Sequence, residues 1–254
     1  MKQSETQKRR DAIVTLVNQR GAMQVDTLAR QFSTSEVTIR KDLSVLAEAG
    51  RLVRQLGGAA PLPGSANQRH INLVKQRIGE AAAALIGDNT KLAIDSGSTT
   101  EALIPHLSAH KQLIVMTNSL NIANALVNSP NDPSLLMTGG TWDPHSRSFQ
   151  GAMAENTVAA YSFDIAFVGA SGIDIDRGTT TLNELTGLSR AMAEGARQVV
   201  VMAESKKLNE RMPNLELSWS QISVLVTDDG ITEQQKKKIE SQGVRVDIAT
   251  RRGE

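Results

Sequence analysis

One stretch, residues 22–58, limits the fold of this chain more than any other. Its pattern predicts two short amphipathic helices joined by a tight polar turn, followed by two short strands with glycines between them. Asp26 is expected to cap the first helix at its amino end. The apolar positions of that helix recur at helical spacing and predict one buried face. They are Val25, Leu28, Ala29 and Phe32.

The second helix of this stretch combines small hydroxyls with long cations on one side. Ser33 and Glu36 have the spacing of a capping box, which predicts its start, and Gly50 predicts its end. The residues expected to face inward are Val37, Leu43 and Leu46. Those expected to face outward are Thr38, Arg40 and Lys41. Such an outward set suits docking on phosphates and contact with base edges, so this is the candidate recognition helix.

Strands and a further helix flank this pair. The segment RLVRQLGGAAPL alternates enough for two strands, with Gly57-Gly58 permitting positive φ at the turn. Upstream, QKRRDAIVTLVNQRG predicts a helix that ends at Gly21. Three helices plus a wing form a winged helix-turn-helix, a DNA-binding module; the alternative is ordinary helices of a larger core. The candidate DNA-contacting residues are Ser35, Thr38, Arg40, Lys41, Arg51 and Arg54.

Charge and length favour two domains. Residues 1–60 carry ten Lys/Arg and six Asp/Glu, while the remainder has a net charge of −3. The 254 residues exceed one winged helix, and a hydrophobic content of 40% is ample for a second core. We expect a DNA-binding domain at 1–60, a proline-containing linker at 61–70, and a second domain at 71–254.

Several function classes are not expected from this composition. The chain has no cysteine, which excludes disulfides and thiolate nucleophiles. No apolar run approaches the roughly 20 residues of a membrane span and the amino terminus is polar, so a cytoplasmic protein without a membrane partner is expected. Neither a cofactor nor a metal is expected, since only two of the four histidines share helical spacing. The histidines are His70, His106, His110 and His145.

Beyond residue 70, short apolar runs alternate with helical patterns. This alternation predicts an α/β domain with a mainly parallel sheet covered on both faces, in which ligands bind beyond the carboxyl ends of the strands. Small polar residues follow three of these runs, at 95–100, 117–119 and 138–140. The loop at 95–100 offers hydroxyls and the amino end of a helix to a phosphate, although such a loop is also an ordinary helix cap. The apolar runs are KLAID, LIVMTN, SLLMTGG, IAFVGA, VVVMAE, ISVLVTDD and VRVDIA.

Both halves resemble the DeoR family of bacterial sugar-metabolism repressors. The block at 35–43 matches S-x-x-T-I-R-x-D-L, and Gly-Gly follows in the wing. Later blocks resemble the family strings D-x-G-S/T-T, T-N, G-G, G-x-x-G-I-D, T-x-N-E and S-K-F. The resemblance implies a sensor domain with a fold like that of ribose-5-phosphate isomerase. It also implies a repressor of a carbohydrate or polyol catabolic operon, released from operator DNA by a phosphorylated sugar or polyol.

The resemblance also assigns effector-binding residues. It implies a sugar-phosphate loop at Asp95, Ser96, Gly97, Ser98, Thr99 and Thr100. Lys207 would be the cation for the phosphate, where the family's Ser-Lys-Phe reads Lys206-Lys207-Leu208; the alternative is a solvated lysine pair on a loop. Further candidates around the pocket are Asn118, Gly140, Asp174 and Glu184.

Two functions from different classes remain open at this point. The first is the repressor, a homo-oligomer (dimer or tetramer) whose paired recognition helices read repeated half-sites. The second is an active sugar-phosphate isomerase, which would need a placed general base. The isomerases that the domain resembles carry an Asp in the block that reads Gly169-Ala170-Ser171 here, so a hydroxyl replaces that carboxylate.

Overall fold

The computed structural model describes residues 5–62, 66–144, 146–181 and 186–250. The chain divides into two compact units, Met1–Leu73 and Val74–Glu254. The first unit contains α1 (Glu5–Arg20), β1 (Met23–Gln24), α2 (Val25–Gln31), α3 (Glu36–Glu48), β2 (Val53–Gln55) and β3 (Gly58–Ala60). Its three strands pair antiparallel in the order β1-β3-β2. The prediction of three helices plus a wing is confirmed.

The candidate recognition helix, α3, starts two residues later than the sequence pattern indicates. Its N-cap is Ser35, whose hydroxyl accepts a hydrogen bond from Thr38 N at 3.2 Å. The capping-box prediction at Ser33 was wrong, because Ser33 has a φ of +48° and belongs to the preceding turn.

The buried face of α3 also differs from the prediction. Val37 was expected to face inward but is 76% exposed. The buried positions of α3 follow the i, i+3, i+4, i+7 pattern of one helix face, and Val37 lies two residues from that pattern, on the opposite side. They are Ile39, Asp42, Leu43 and Leu46.

Two further expectations in this unit are corrected. Asp26 is not a cap, because α2 already begins at Val25; its carboxylate instead accepts from Thr27 N at 2.7 Å. Of the two glycines expected at the turn of the wing, only Gly57 has a positive φ, at +75°, whereas Gly58 lies in β3. A Cβ on Gly58 would come within 2.2 Å of Met23 O, so this glycine permits the close pairing of β3 with β1.

After β3, helices and strands follow one another as far as residue 249. In chain order they are α4 (Ala66–Ala83), β4 (Lys91–Ile94), α5 (Ile104–Leu107), β5 (Ile114–Thr117), α6 (Leu120–Val127), β6 (Ser134–Met137), β7 (Thr141–Asp143), β8 (Ser148–Gln150), α7 (Ala152–Ala159), β9 (Phe163–Gly169), β10 (Gly172–Asp174), β11 (Gly178–Thr181), α8 (Gly187–Glu194), β12 (Ala196–Met202), β13 (Asn214–Ser218), β14 (Val224–Asp228), α9 (Glu233–Glu240) and β15 (Arg245–Ala249). Because α4 begins at Ala66, the end of the expected linker at 61–70 is helical, while 63–65 lie outside the described residues.

A seven-stranded parallel sheet organises the second unit. Its order is β15-β14-β12-β9-β4-β5-β6, and each of these strands overlaps the apolar run that predicted it. Two of them begin earlier than predicted, β9 by two residues and β12 by three. Alternate residues of β9 pack into two separate apolar clusters: Phe167 belongs to one and Val168 to the other. Both faces of β9 are therefore covered, which explains why its sequence at 165–169 is continuously apolar.

The strand order reverses between β4 and β9. From β4 the chain proceeds through β5 to β6 on one side, then returns to place β9 on the other side. The connections leaving β4 and β9 therefore diverge, and a crevice forms at their carboxyl ends. Two smaller groups of strands were not predicted: an antiparallel sheet β10-β11-β13 and the hairpin β7-β8.

Candidate functional site

A polar cavity of about 280 Å³ occupies this switch point of the sheet. The loops after β4, β9 and β12 form part of its wall. The unpredicted strands, the turn between β7 and β8, and α8 contribute the rest. Its lining residues are Asp95, Ser96, Gly97, Ser98, Thr99, Ser146, Gln150, Gly169, Ala170, Ser171, Thr181, Ser189, Lys207 and Glu216.

The loop at 95–100 is held by hydrogen bonds from its neighbours. Asp95 N donates to Phe167 O at 2.9 Å, which fixes the loop to the end of β9. Ser96 N donates to Asn118 Oδ1 at 2.9 Å, and Asn118 Nδ2 donates to Asp95 Oδ1 at 3.0 Å. Thr100 Oγ1 donates back to Gly97 O at 2.8 Å. Asn118 and Thr100 are thus buried supports behind the loop and do not line the cavity.

Two carboxylates share the cavity, and the pKa values of both are raised. Burial raises the pKa of Asp95 to about 6, against the hydrogen bonds from Ser96 and Asn118. Burial, with the nearby Asp95 charge, raises the pKa of Glu216 to about 7, although Ser189 Oγ donates to Glu216 Oε1 at 2.8 Å. Near neutral pH this part of the wall can therefore accept hydrogen bonds as a carboxylate or donate one as an acid.

The lysines near the loop differ in their surroundings. Lys207 lines the cavity and donates to Ala170 O, and burial lowers its pKa. Lys206 pairs at 3.0 Å with Glu204 and is half exposed. Lys75, which the sequence did not single out, reaches from α4 to Ser98 Oγ at 2.7 Å.

The remaining predicted effector residues lie elsewhere. Gly140 has a φ of +111°, and a Cβ there would come within 2.6 Å of the carbonyl oxygen of Gln150, a lining residue. Asp174 is buried at the end of β10 and pairs with Arg211 at 3.6 Å. Glu184 lies outside the described residues. Four lining residues were not predicted and come from segments with no recognisable motif: Ser146, Gln150, Ser189 and Glu216.

On the first unit, the amino end of α3 presents the expected polar surface. Ser35 Oγ and Thr38 Oγ1 are hydrogen-bonded at 2.9 Å, which orders both hydroxyls. Arg40 is exposed and pairs with Glu36 at 3.1 Å, and Lys41 is exposed beside it. An exposed pair of this kind contributes little to stability, so Arg40 can exchange Glu36 for an external anion at low cost.

The two wing arginines are engaged within the unit. Arg51 Nη1 pairs with Asp11 at 2.6 Å and ties the end of α3 to α1. Arg54 Nη1 donates to Arg40 O at 2.9 Å and so fastens β2 to α3. The structure therefore gives both residues an internal role in setting the position of the wing.

Asp42 has a role in the packing of the first unit that was not predicted from the sequence. It is 2% exposed, and its carboxylate accepts from Arg9 Nε at 2.7 Å and from Arg10 Nε at 2.8 Å. This cluster joins α1 to α3. Within the block at 35–43, Asp42 therefore faces inward and forms ion pairs with α1.

Metal-binding clusters and membrane-spanning helices are both absent from the part of the chain that the structure describes. Across the described ranges, no group of three or more histidines and carboxylates is arranged to hold a metal ion; His145 lies outside those ranges. Among the helices of the described part, none combines the length and apolar character needed to cross a bilayer.

Two protein-family models match this chain, one in each half. A model described as the DeoR C terminal sensor domain matches residues 72–229, more than half of the chain. A second model, the DeoR-like helix-turn-helix domain, matches residues 9–62. The chain belongs to the DeoR family of transcriptional repressors.

Individual DeoR-type relatives match over nearly their whole length. A candidate aga operon transcriptional repressor of Escherichia coli O157:H7 is 34% identical over 251 residues, covering 95% of this chain and 93% of that protein. The glycerol-3-phosphate regulon repressor of Escherichia coli K12 is 32% identical, with coverages of 90% and 92%. Among solved structures, ribose 5-phosphate isomerase A of Methanocaldococcus jannaschii is similar with a TM-score of 0.39 and 15% identity, over 53% of each chain.

Proposed function

We propose that this protein represses a carbohydrate or polyol catabolic operon and that a phosphorylated sugar or polyol, bound in the cavity of the sensor domain, releases it from operator DNA. The observation that carries the proposal is the cavity at the β4–β9 switch point, where a loop rich in hydroxyls meets a half-buried lysine and two carboxylates.

Each part of the cavity suits one part of such a ligand. Ser96, Ser98 and Thr99 offer hydroxyl donors to a phosphate, and Lys207 adds positive charge. Asp95 and Glu216 can accept hydrogen bonds from the hydroxyls of a sugar or polyol. A cavity of about 280 Å³ lies near the lower end of the range for small-molecule sites and fits a ligand of this size.

The names of the relatives support the same class of effector. One is named for the glycerol-3-phosphate regulon, and glycerol 3-phosphate is itself a phosphorylated polyol. The hydroxyls and exposed cations at the amino end of α3 support the DNA-binding half of the proposal, through Ser35, Thr38, Arg40 and Lys41. A dimer or tetramer would present two or more such helices to repeated half-sites.

A mobility-shift assay tests this proposal. The probe is the DNA upstream of the genes that neighbour the gene for this protein, with a scrambled fragment of equal length as the control. Phosphorylated sugars and polyols are added one at a time, each against its unphosphorylated parent. We expect a specific shift that one phosphate ester reverses and its parent does not; a shift unaffected by every ester would contradict the effector part of the proposal.

The same panel tests the isomerase alternative. The observation in its favour is that Glu216, with a pKa of about 7, could serve as a general base beside Lys207. Conversion of a panel member, lost in Glu216→Gln, would support that activity; unchanged panel members together with a specific DNA shift would exclude it for these compounds.

A further inference from the structure

Lys75 links the loop at 95–100 to the long helix that precedes the sheet. It lies on α4, and its ammonium donates to Ser98 Oγ at 2.7 Å. Its side chain is 18% exposed, so this cation is held against the loop. Ser98 lines the cavity, and any anion bound to its hydroxyl would come within reach of Lys75.

Lys75 has no carboxylate at hydrogen-bond distance among the described residues to balance its positive charge. Its nearest carboxylate, Glu204, is 3.8 Å away, which is beyond hydrogen-bond distance. Glu204 is 7% exposed and also pairs with Lys206 at 3.0 Å, so one buried carboxylate serves two lysines. Burial accordingly lowers the pKa of Lys75, against the opposing effect of Glu204. A negatively charged ligand bound at Ser98 would give the Lys75 ammonium a close anionic partner.

We propose that Lys75 is a phosphate-binding residue of the sensor domain, so that α4 takes part directly in holding the effector. This inference rests on the proposed function, because it takes the effector to be a phosphate ester. An ammonium has three donors, and the one on Ser98 leaves others available for a phosphate oxygen.

The position of Lys75 also gives effector binding a mechanical consequence. The neighbouring Val74 and, one turn on, Ile78 are buried in the apolar cluster beneath the sheet. A phosphate bound by both Lys75 and the loop therefore restrains a helix whose adjacent side chains are packed in the core. We expect α4 to become more strongly protected when phosphate binds.

Calorimetric titration of the full chain with inorganic phosphate tests the assignment, at constant ionic strength set with sodium chloride. The variants are Lys75→Met, Lys75→Arg and the matched control Lys206→Met, which removes a lysine bound to the same Glu204. We expect Lys75→Met to weaken phosphate binding at least tenfold because a charge-assisted hydrogen bond is lost. Lys75→Arg should retain more of the affinity, and Lys206→Met should stay within about threefold of the wild type.

Folding and coupling are checked on the same samples. Tryptophan fluorescence on heating shows whether each variant keeps a cooperative transition; Lys75→Gln replaces Lys75→Met if the latter does not. Hydrogen exchange of the amides at 74–83 should slow with phosphate in the wild type and remain unchanged in Lys75→Met. A Lys75→Met protein that binds phosphate like the wild type would overturn the assignment and leave the proposed function intact. A wild type that binds neither inorganic phosphate nor any panel ester would overturn both.

Discussion

Substitution of Asp42 should destabilise the first unit selectively. Its carboxylate is 2% exposed and bonded to Arg9 and Arg10, whose side chains are 24% and 20% exposed. Asp42→Asn removes the charge that both guanidinium groups face. Removing one partner of a buried ion pair costs about 3–5 kcal/mol. Because both arginines keep some access to water, we expect the lower end, about 3 kcal/mol.

The matched control is Asp26→Asn. Asp26 pairs with Arg30 at 2.9 Å, a similar distance, but the two side chains are 55% and 72% exposed. Pairs as exposed as this contribute under about 1 kcal/mol, so the control should unfold almost like the wild type. The comparison separates the effect of burial from the loss of one negative charge in the same unit.

Urea unfolding followed by two signals measures the effect. Both tryptophans, Trp142 and Trp219, lie in the second unit, so their fluorescence reports that unit alone. Far-UV circular dichroism also records the helices α1 to α3. With a slope near 1 kcal/mol per molar urea, Asp42→Asn should move the first-unit transition down by about 3 M and leave the fluorescence transition in place. A dichroism curve matching that of Asp26→Asn would refute the reasoning.

Three other substitutions follow from the two sites. Arg40→Ala should weaken operator binding by about 1–3 kcal/mol in fluorescence anisotropy while effector binding stays unchanged; undiminished operator affinity would remove Arg40 from the interface. Ser98→Asp puts a carboxylate beside Lys75 and should abolish release of the operator by a phosphate ester in a mobility shift; normal release would exclude this loop from the site. Glu216→Gln should raise the thermal midpoint of the second unit at pH 8 and change it little at pH 4. Because burial raises the pKa of Glu216 to about 7, its protonated form stabilises the fold at low pH and that stability is lost as the pH rises through 7. An equal gain at both pH values would contradict this titration.

The parts of the fold that the sequence predicted are those with a local, repeating physical cause. The inner strands of the parallel sheet contain apolar runs because both of their faces are buried, and that pattern is visible in each run alone. The start of α3 was misplaced because Ser33 and Ser35 are both suitable caps by residue type. The left-handed φ of Ser33 that decides between them arises from the turn, which residue type does not specify.

The cavity was only half predictable for a similar reason. The loop at 95–100 follows a recognisable strand, so its place at a carboxyl end could be inferred. Glu216 and Ser189 reach the same cavity from a short antiparallel strand and from α8, and no local pattern indicates that Glu216 should approach Asp95. Lys75 likewise meets Ser98 only through the packing of α4. Such contacts between residues distant in sequence depend on the topology of the fold, which residue spacing alone does not encode.

The most direct test of the central claim is the affinity of the active phosphate ester for the protein, measured by calorimetry with and without saturating operator DNA. If the cavity controls DNA binding, linkage requires operator to weaken ester binding by the same factor by which ester weakens operator binding. We predict equal factors of about tenfold or more, within the usual range for coupling between sites. An ester affinity that is the same with and without operator would contradict the account.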